Sequence, residues 1–314
     1  MSNAQSSKAL APSLFKGRVA IVTGAGSPYG IGRSIVLLLA QAGVDVVYAT
    51  DLNLGNISSL QEAVKKINPA CVVEGRKHDV ASEENTLQIL KEVVKKHGRL
   101  DLYFANAGFA DVRNINDLTT TQYERAMGVM ATSVYYAIKY GSQALAVTSP
   151  SKPVSGGSIV VTASVAGIMG LFSDVAYSTA KAAAIGLVTQ GAVQLSASNI
   201  RVNGVAPGAV QTSLIVNAPH AQEKTEFNLV MSETEAKQEF QKYIDVLGVE
   251  AQQQYSYNRV AQPDEIAHIA VFLASDLSLA VNGHIVVADS GKTKAALGES
   301  YIGPVPPVKP LELS

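Results

Sequence analysis

Short apolar runs rich in β-branched residues alternate along the chain with longer segments whose apolar residues recur at helical spacing. The short runs predict strands at residues 19–23, 44–50, 71–78, 100–105, 158–163, 200–205 and 284–288. The longer segments predict helices at residues 31–42, 58–66, 83–97, 120–145, 175–195 and 264–273. Regular β–α alternation is typical of a parallel sheet with helices on both faces. We therefore expect an α/β fold with a doubly wound parallel sheet.

The alternation runs through the chain without a Gly-, Pro- and Ser-rich linker, which predicts one domain over residues 17–291, between tails at 1–16 and 292–314. Residues 212–258 interrupt the pattern with a polar helical stretch at 232–244 and scattered apolar side chains. Such an interruption is typical of an active-site lid. Its apolar residues include Leu214, Phe227, Leu229 and Tyr243.

Composition excludes several classes of function. The formal net charge of −1 and the absence of long basic runs argue against binding to nucleic acid or to an anionic membrane. Apolar runs fall far short of the ~20 residues that span a bilayer, and the first residues do not resemble a secretory signal. Together with Cys71 as the single cysteine, this predicts a cytoplasmic protein. The five histidines lack ligand spacing, so no metal site is expected.

Residues 23–32, Thr-Gly-Ala-Gly-Ser-Pro-Tyr-Gly-Ile-Gly, lie between a predicted strand and a predicted helix. Glycines allow a tight turn and close approach of the backbone to phosphate, and free N–H groups at a helix start favour negative charge. This context predicts a Rossmann-type dinucleotide site. The expected contacts from the loop are Gly24, Ser27, Tyr29, Gly30 and Ile31.

Asp51 ends the second predicted strand, about 20 residues beyond the loop, where a carboxylate binds the ribose diol of a dinucleotide. A carboxylate there repels a 2′-phosphate, and the following Leu52 and Asn53 offer no cation. The sequence thus favours NAD over NADP without excluding NADP.

Tyr177 and Lys181 are four residues apart in a predicted helix, so both side chains project from one face. A cation beside a phenol is expected to lower the pKa of the phenol and to make it a usable acid or base. Ser164 follows a predicted strand, at the carboxyl edge where a doubly wound sheet presents its ligands. Its hydroxyl can orient a substrate alcohol or carbonyl.

These motifs together resemble the short-chain dehydrogenase/reductase family over about residues 15–291. Besides the glycine loop, His78-Asp79-Val80, Asn106-Ala107-Gly108, the thirteen-residue spacing from Ser164 to Tyr177 and the segment 203–212 match the family's motifs in order. The resemblance implies that Tyr177 is the general acid/base, that Ser164 orients substrate and that Lys181 binds the nicotinamide ribose.

The same resemblance implies further cofactor contacts. Asp79 and Val80 are expected beside adenine, and Asn106, Ala107 and Gly108 beneath the cofactor. Pro207, Gly208, Val210 and Thr212 are expected at the nicotinamide amide, with Tyr177 and Lys181 on its ribose. The helices at 120–145 and 175–195 resemble those through which family members pair, which implies a homodimer or homotetramer.

Two features depart from the family pattern. Five residues separate Gly24 from Gly30, a longer loop than usual, so the N–H groups that reach the phosphates are not fixed by the motif. Met130 aligns with an asparagine that supports a water relay to the lysine. A thioether is only a weak acceptor and cannot donate. If the relay depends on the backbone carbonyl at this position, activity survives; if it needs the side chain, proton supply to Tyr177 is slowed.

The expected activity is NAD(P)-dependent interconversion of a secondary alcohol and a ketone. Met169, Leu171 and Phe172 beside Tyr177, with the apolar residues of the lid, suit an apolar or cyclic small-molecule substrate, and suit a lid packing on its own core equally well. Two alternatives stand beside this one: a cofactor-binding protein with little redox activity, and a lyase, isomerase or cyclase that keeps the nucleotide.

Overall fold

Seven parallel strands pair in the order β3-β2-β1-β4-β5-β6-β7, which confirms the doubly wound sheet. The computed structural model describes residues 11–110, 113–170, 173–214, 232–247 and 260–294. The order turns back on itself between β1 and β4, so the chain winds outward in both directions from the middle of the sheet. The strands are β1 Val19–Thr23, β2 Val46–Asp51, β3 Val72–Lys77, β4 Leu102–Ala105, β5 Gly157–Thr162, β6 Ile200–Pro207 and β7 Ile285–Ala288.

Helices follow the strands as the periodicity predicts. The helices α3 Glu83–His97 and α7 Val175–Leu195 begin and end at the predicted residues, because Ser82 and Asp174 accept hydrogen bonds from the first-turn amides of Asn85 and Tyr177. The other helices are α1 Ile31–Gln41, α2 Ile57–Ile67, α4 Thr120–Met127, α5 Ser133–Tyr136, α6 Ser142–Leu145, α8 Glu233–Leu247 and α9 Pro263–Ala274.

Alternate residues of the central strands feed two hydrophobic cores. On β1, Ala20 and Val22 face the core formed with α1, α2 and α9, whereas Val19 and Ile21 face the core formed with α3 and α7. Because a strand's side chains alternate between faces, burying both faces requires apolar residues at every position. All five residues of β1 are buried accordingly.

The helix predicted at 120–145 contains two π-helical turns, Gly128–Thr132 and Ala137–Gly141, between α4, α5 and α6. In the first, the Ser133 amide donates to the carbonyl of Gly128, five residues back. A π-helical turn contains one extra residue, and the spacing of apolar residues along the sequence does not predict such a local insertion. Turns of this kind are frequent at functional sites, and this one carries Met130.

The buried core begins at Phe15, within the predicted N-terminal tail. Phe15 is fully buried, and its amide donates to the carbonyl of Ala42 at 2.9 Å. At the other end, the Thr293 amide donates to the Asp289 carboxylate at 2.7 Å. Of the predicted insertion at 212–258, the structure describes residues 212–214 and 232–247, the latter containing α8.

Among the described residues, no helix has both the length and the apolarity to cross a lipid bilayer. The same residues hold no group of three or more histidine, cysteine or acidic side chains placed to ligate a metal ion.

His78 follows β3 and is buried between two hydroxyl groups. Its Nδ1 lies 3.1 Å from Thr50 Oγ1 and its Nε2 lies 3.1 Å from Thr86 Oγ1. Burial lowers the pKa of His78 from 6.5 to about 4, with nearby Asp79 acting weakly in the opposite direction. The imidazole is therefore neutral in the folded protein at neutral pH and bridges β2 and α3 through the two threonines.

We predict that this histidine makes the fold sensitive to acid. The unfolded state takes up a proton near pH 6.5 and the folded state only near pH 4, so stability is lost as pH falls through this window. The loss is about 2 kcal/mol between pH 7 and pH 5 and approaches about 3 kcal/mol below pH 4. Urea unfolding at pH 7 and pH 5 measures it. His78→Gln should flatten the difference between the two pH values, and an equally steep loss in that variant would contradict the assignment.

Candidate active site

A cavity of about 430 Å³ lies at the carboxyl edge of the sheet. It receives side chains from the ends of β1, β2, β4, β5 and β6 and from the first turns that follow them, because parallel strands all end at this edge. Every site residue predicted from the sequence lines this cavity except Tyr29.

The strand ends are tied together by Asn106. Its Nδ2 donates to the carbonyl of Thr23 at 3.0 Å, and its Oδ1 accepts from the hydroxyl of Thr162 at 3.0 Å. The Thr23 hydroxyl in turn accepts the amides of Asn106 and Ala107, each at 3.0 Å. These bonds join β1, β4 and β5 into a floor of fixed geometry. Asn106 thus builds the site as well as lining it.

The glycine loop leaves room that any other side chain would fill. A Cβ on Gly32 would lie 2.3 Å from the carbonyl oxygen of Gly24, and one on Gly26 would lie 2.5 Å from the carbonyl of Asn53. Helix α1 begins after Gly30 with no side-chain cap and no acidic residue in its first turn. Gly30 and Ile31 line the cavity, so the positive end of the helix faces it. The loop fits the pyrophosphate of a dinucleotide.

Asp51 has two functions in the structure. It lines the cavity and is almost fully buried, and its Oδ2 accepts the amide of Gly26 at 2.9 Å while its Oδ1 accepts the amide of Asn53 at 3.1 Å. Its carboxylate therefore fixes the glycine loop against the end of β2. The sequence analysis assigned it only to the ribose.

Ser164, Tyr177 and Lys181 converge on the cavity from two elements. Ser164 lies just past β5, before the turn Val165–Gly167. That turn approaches α7 so closely that a Cβ on Gly167 would lie 2.6 Å from the carbonyl carbon of Lys181. The Ser164 hydroxyl lies close enough to the Tyr177 phenol to affect its pKa. The Lys181 ammonium lies 5.6 Å from the centre of the Tyr177 ring and donates to the carbonyl of Thr162 at 2.7 Å.

The electrostatics of the three groups differ from the expectation. Burial raises the pKa of Tyr177, and the nearby Ser164 hydroxyl opposes that rise in pKa. Burial lowers the pKa of Lys181 to about 8. The prediction that Lys181 lowers the pKa of the phenol is therefore wrong for this structure, since desolvation outweighs other effects on both groups. The phenol is a proton donor at neutral pH.

Comparisons with known proteins agree with this geometry. The short chain dehydrogenase family matches residues 18–223, and an enoyl-(acyl carrier protein) reductase family matches residues 228–293. Cyclohexanol dehydrogenase of an Acinetobacter species is 32% identical over 89% of this chain and 96% of that protein. Cis-4-hydroxycyclohexanecarboxylate dehydrogenase of Sinomonas cyclohexanicum is 30% identical over 89% and 98%. A solved short-chain dehydrogenase/reductase from Burkholderia xenovorans superimposes with a TM-score of 0.76, at 25% identity, over 90% of this chain and 99% of that one.

The chain belongs to the short-chain dehydrogenase/reductase family. It is an NAD(P)-dependent oxidoreductase acting on CH–OH groups. Proteins of this family act on small molecules and are commonly oligomeric. Membership confirms the resemblance drawn from the motifs and leaves the cofactor preference and the substrate to the details of this cavity.

This short-chain dehydrogenase carries Met130 in the first π-helical turn, fully buried. Its Sδ and the ammonium of Lys181 lie 3.5 Å and 3.6 Å from the point where a Cβ on Gly108 would be. The thioether therefore fills space beside the lysine without offering a hydrogen-bond donor. A backbone carbonyl, that of Thr162, anchors Lys181 here.

Sequence reasoning missed several lining residues, and one predicted contact residue has its side chain elsewhere. Tyr29 points away from the cavity, and its hydroxyl donates to Gln262. The missed lining residues within the described ranges are His78, Ala81, Phe109, Ala110, Glu124, Arg125, Gly128, Val129, Thr162 and Ala163, whereas Leu214, expected in the lid, does line the cavity. Six of them, His78, Ala81, Phe109, Ala110, Thr162 and Ala163, lie within two residues of a predicted site residue along the chain, so the neighbours of each strand end were the available signal. Leu171, Phe172, Phe227, Leu229 and the side chain of Tyr243 lie outside the described residues.

We predict that Gly32→Ala weakens dinucleotide binding whereas Gly186→Ala does not. The new methyl group at position 32 collides with the Gly24 carbonyl and with Asn106, whereas Gly186 has nothing within 4 Å. Titration with NADH, followed by nicotinamide fluorescence, should show at least about a ten-fold weaker affinity for the first variant. The Gly186→Ala variant, changed at an exposed helical position, should bind NADH normally. Its free energy of unfolding should rise by about 1 kcal/mol, because alanine favours the helix over glycine. Normal NADH binding by Gly32→Ala would contradict the close-packed loop.

Proposed function

We propose that this protein is a dehydrogenase that uses NAD in preference to NADP and interconverts a secondary alcohol and a ketone on an apolar, cyclic substrate. The observation that carries the proposal is the convergence of Ser164, Tyr177 and Lys181 in the cavity that contains the glycine loop and Asp51. A hydroxyl that orients, a phenol that exchanges a proton and a buried cation lie within one space.

The residues present fit a dinucleotide laid along the carboxyl edge. Gly24, Ser27, Gly30 and Ile31 would hold the pyrophosphate, and Asp51 the adenosine ribose diol. Beyond these, the other cavity residues assigned to the cofactor would contact it as follows: Leu52, Asp79 and Val80 at adenosine, Asn106, Ala107 and Gly108 beneath the ring, and Pro207, Gly208, Val210 and Thr212 at the carboxamide. When bound, the nicotinamide supplies hydride transfer.

The chain's own residues move the proton. In the reducing direction the phenol of Tyr177, kept protonated at neutral pH by its raised pKa, donates its proton to the substrate oxygen. The Ser164 hydroxyl, which lies in the same cavity as that phenol, holds the same substrate oxygen in place. In the oxidising direction Tyr177 must first be deprotonated, so alcohol oxidation should accelerate as pH rises. Lys181 holds its position through Thr162 and places a cation beside the developing negative charge.

The cavity favours an apolar substrate. Phe109, Ala110 and Leu214 line it, and Phe109 packs in the cluster that contains Tyr177. Two relatives named above act on cyclohexane rings bearing a hydroxyl, as their names state. A six-membered ring alcohol presents one hydroxyl and an apolar body, which matches Ser164 and Tyr177 beside the apolar side chains of Phe109, Ala110 and Leu214.

We also propose that two or four copies of this protein associate. The helical segment 120–145 and α7 each expose apolar side chains: Tyr135 is 42% exposed and Val193 is 71% exposed. Isolated apolar residues on a surface are ordinary, but both helices resemble those through which family members pair. A homodimer or homotetramer formed through these helices would cover them.

We predict that Tyr177→Phe abolishes turnover with cyclohexanol and NAD while NADH binding persists. Loss of general acid/base catalysis should cost about 10²–10⁴-fold in kcat. Tyr123→Phe is the matched control, because Tyr123 packs in the same cluster as Tyr177. In wild type the oxidation rate should rise with pH, and that rise should be absent from residual activity of the Tyr177 variant. Unchanged turnover in Tyr177→Phe would refute the assigned role.

We also predict that NADH binds at least about ten-fold more tightly than NADPH, since a buried carboxylate opposes a 2′-phosphate. Asp51→Asn removes that repulsion and keeps one oxygen to accept a loop amide, so it should reduce the discrimination about ten-fold. Separate fluorescence titrations with the two cofactors measure the ratio, and thermal unfolding checks that the loop remains folded. Tighter NADPH binding by wild type would overturn the preference.

A further inference from the structure

Tyr29 is the loop residue that turns away from the cavity, and it contacts parts of the chain far from it in sequence. Its hydroxyl donates to Gln262 Oε1 at 2.5 Å, just before α9. The ammonium of Lys237, on α8, lies 4.7 Å from the centre of its ring. Burial, reinforced by Glu233, Asp264 and Glu265, raises the pKa of Tyr29 to about 12. The phenol therefore remains a hydrogen-bond donor over the whole physiological range.

The backbone of Tyr29 is held as firmly as its side chain. Its carbonyl oxygen accepts the amide of Ser213 at 2.8 Å and the hydroxyl of Ser213 at 3.2 Å. Ser213 is almost completely buried, and its neighbours Thr212 and Leu214 both line the cavity. One residue of the glycine loop thus contacts the segment after β6 directly.

Two further bonds close a ring around Thr212. Gln262 Nε2 donates to Gln211 Oε1 at 2.7 Å, and the Gln211 amide donates to the carbonyl of Ala261 at 2.8 Å. The ring runs from Tyr29 to Ser213, along the chain through Thr212 to Gln211, across to Gln262 and back to the Tyr29 hydroxyl. Its members other than Thr212 are absent from the cavity lining, and Thr212 is the member that reaches in.

We propose that Tyr29 is a positioning residue that couples the glycine loop to the segment Gln211–Leu214 and so fixes Thr212 at the nicotinamide end of the cavity. The proposal rests on the proposed function, which assigns Thr212 to the carboxamide. The lengthened loop between Gly24 and Gly30 is what allows Tyr29 to reach Gln262 and Ser213. A ligand that binds only to the glycine loop does not contact Thr212, whereas a ligand that spans the cavity contacts both the loop and Thr212.

The test compares NADH with ADP-ribose, which has the same adenosine and pyrophosphate but lacks the nicotinamide. Tyr29→Phe removes the hydroxyl that donates to Gln262, which opens the hydrogen-bonded ring, and keeps the aromatic side chain in place. It should weaken NADH about three- to ten-fold, the effect of one lost hydrogen bond, and leave ADP-ribose binding within two-fold of wild type, roughly the limit of such a titration. Gln211→Ala opens the same ring at a point remote from the glycine loop and should produce the same selective loss. Calorimetric titration of full-length protein measures both ligands.

Lys237→Met is the matched control, since it removes the cation over the Tyr29 ring and leaves every bond of the hydrogen-bonded ring intact. It should bind both ligands as wild type does. A loss equal to that of Tyr29→Phe would overturn the role of the hydroxyl. Equal weakening of NADH and ADP-ribose in Tyr29→Phe would overturn the coupling, because it would reduce Tyr29 to a support of the phosphate loop.

Failure of the underlying function has a different signature. If wild-type protein binds ADP-ribose as tightly as NADH, Thr212 does not contact the nicotinamide and the proposed cofactor placement fails. If wild type prefers NADH and neither Tyr29→Phe nor Gln211→Ala changes that preference, only the positioning role is overturned. Thermal unfolding of each variant confirms that the folded protein is being compared.

Discussion

The hydrogen bond from Lys181 to the carbonyl of Thr162 is the contact on which the site's geometry depends. An ammonium is costly to bury unless an acceptor meets it, and this one is almost fully shielded from solvent. The bond therefore holds α7 at a fixed height against the end of β5. Because Tyr177 lies one helical turn before Lys181, its place follows from the same contact. Thr162 also donates to Asn106, so the position of α7 is tied to the glycine loop through Asn106 and Thr23.

The burial that fixes these groups also sets their acidity. Sequence reasoning treated Tyr177 and Lys181 as a cation beside a phenol, which predicts a lowered pKa for the tyrosine. In the folded chain both groups lose water, and desolvation disfavours the charged form of each. The pKa of Tyr177 is raised and that of Lys181 falls to about 8. Proximity is readable from a four-residue spacing, but the degree of burial depends on residues distant in sequence, such as Phe109 and Ala126, which share the cluster with Tyr177.

The contrast between properties set by nearby residues and properties set by residues distant in sequence also explains which parts of the structure the sequence predicted. The doubly wound parallel sheet and the bounds of α3 and α7 follow from local signals: apolar period, Ser82 and Asp174 as caps, and right-handed crossovers. Those signals predicted the doubly wound sheet and the gathering of nearly all predicted site residues at one edge. The π-helical turn at Met130 and the outward direction of Tyr29 depend on partners that the chain brings together only when folded. Arg125 and Glu124 reach the cavity from a helix whose period marks them as solvent-facing.

Tyr29 shows how a scaffold shared with a family acquires a particular behaviour. The floor of the cavity is made of backbone and short polar side chains, Thr23, Asn106 and Thr162, whose geometry leaves little freedom. Its walls come from segments after the strands, where Phe109 and Leu214 stand and where the chain departs from the sheet. Walls of this kind need a separate restraint, because a segment beyond a strand has no ladder of hydrogen bonds to hold it. For the segment Gln211–Leu214 that restraint is a ring of hydrogen bonds that passes through the glycine loop. Cofactor binding and the shape of the substrate end are consequently joined by one tyrosine, in a loop whose length the sequence had marked as unusual.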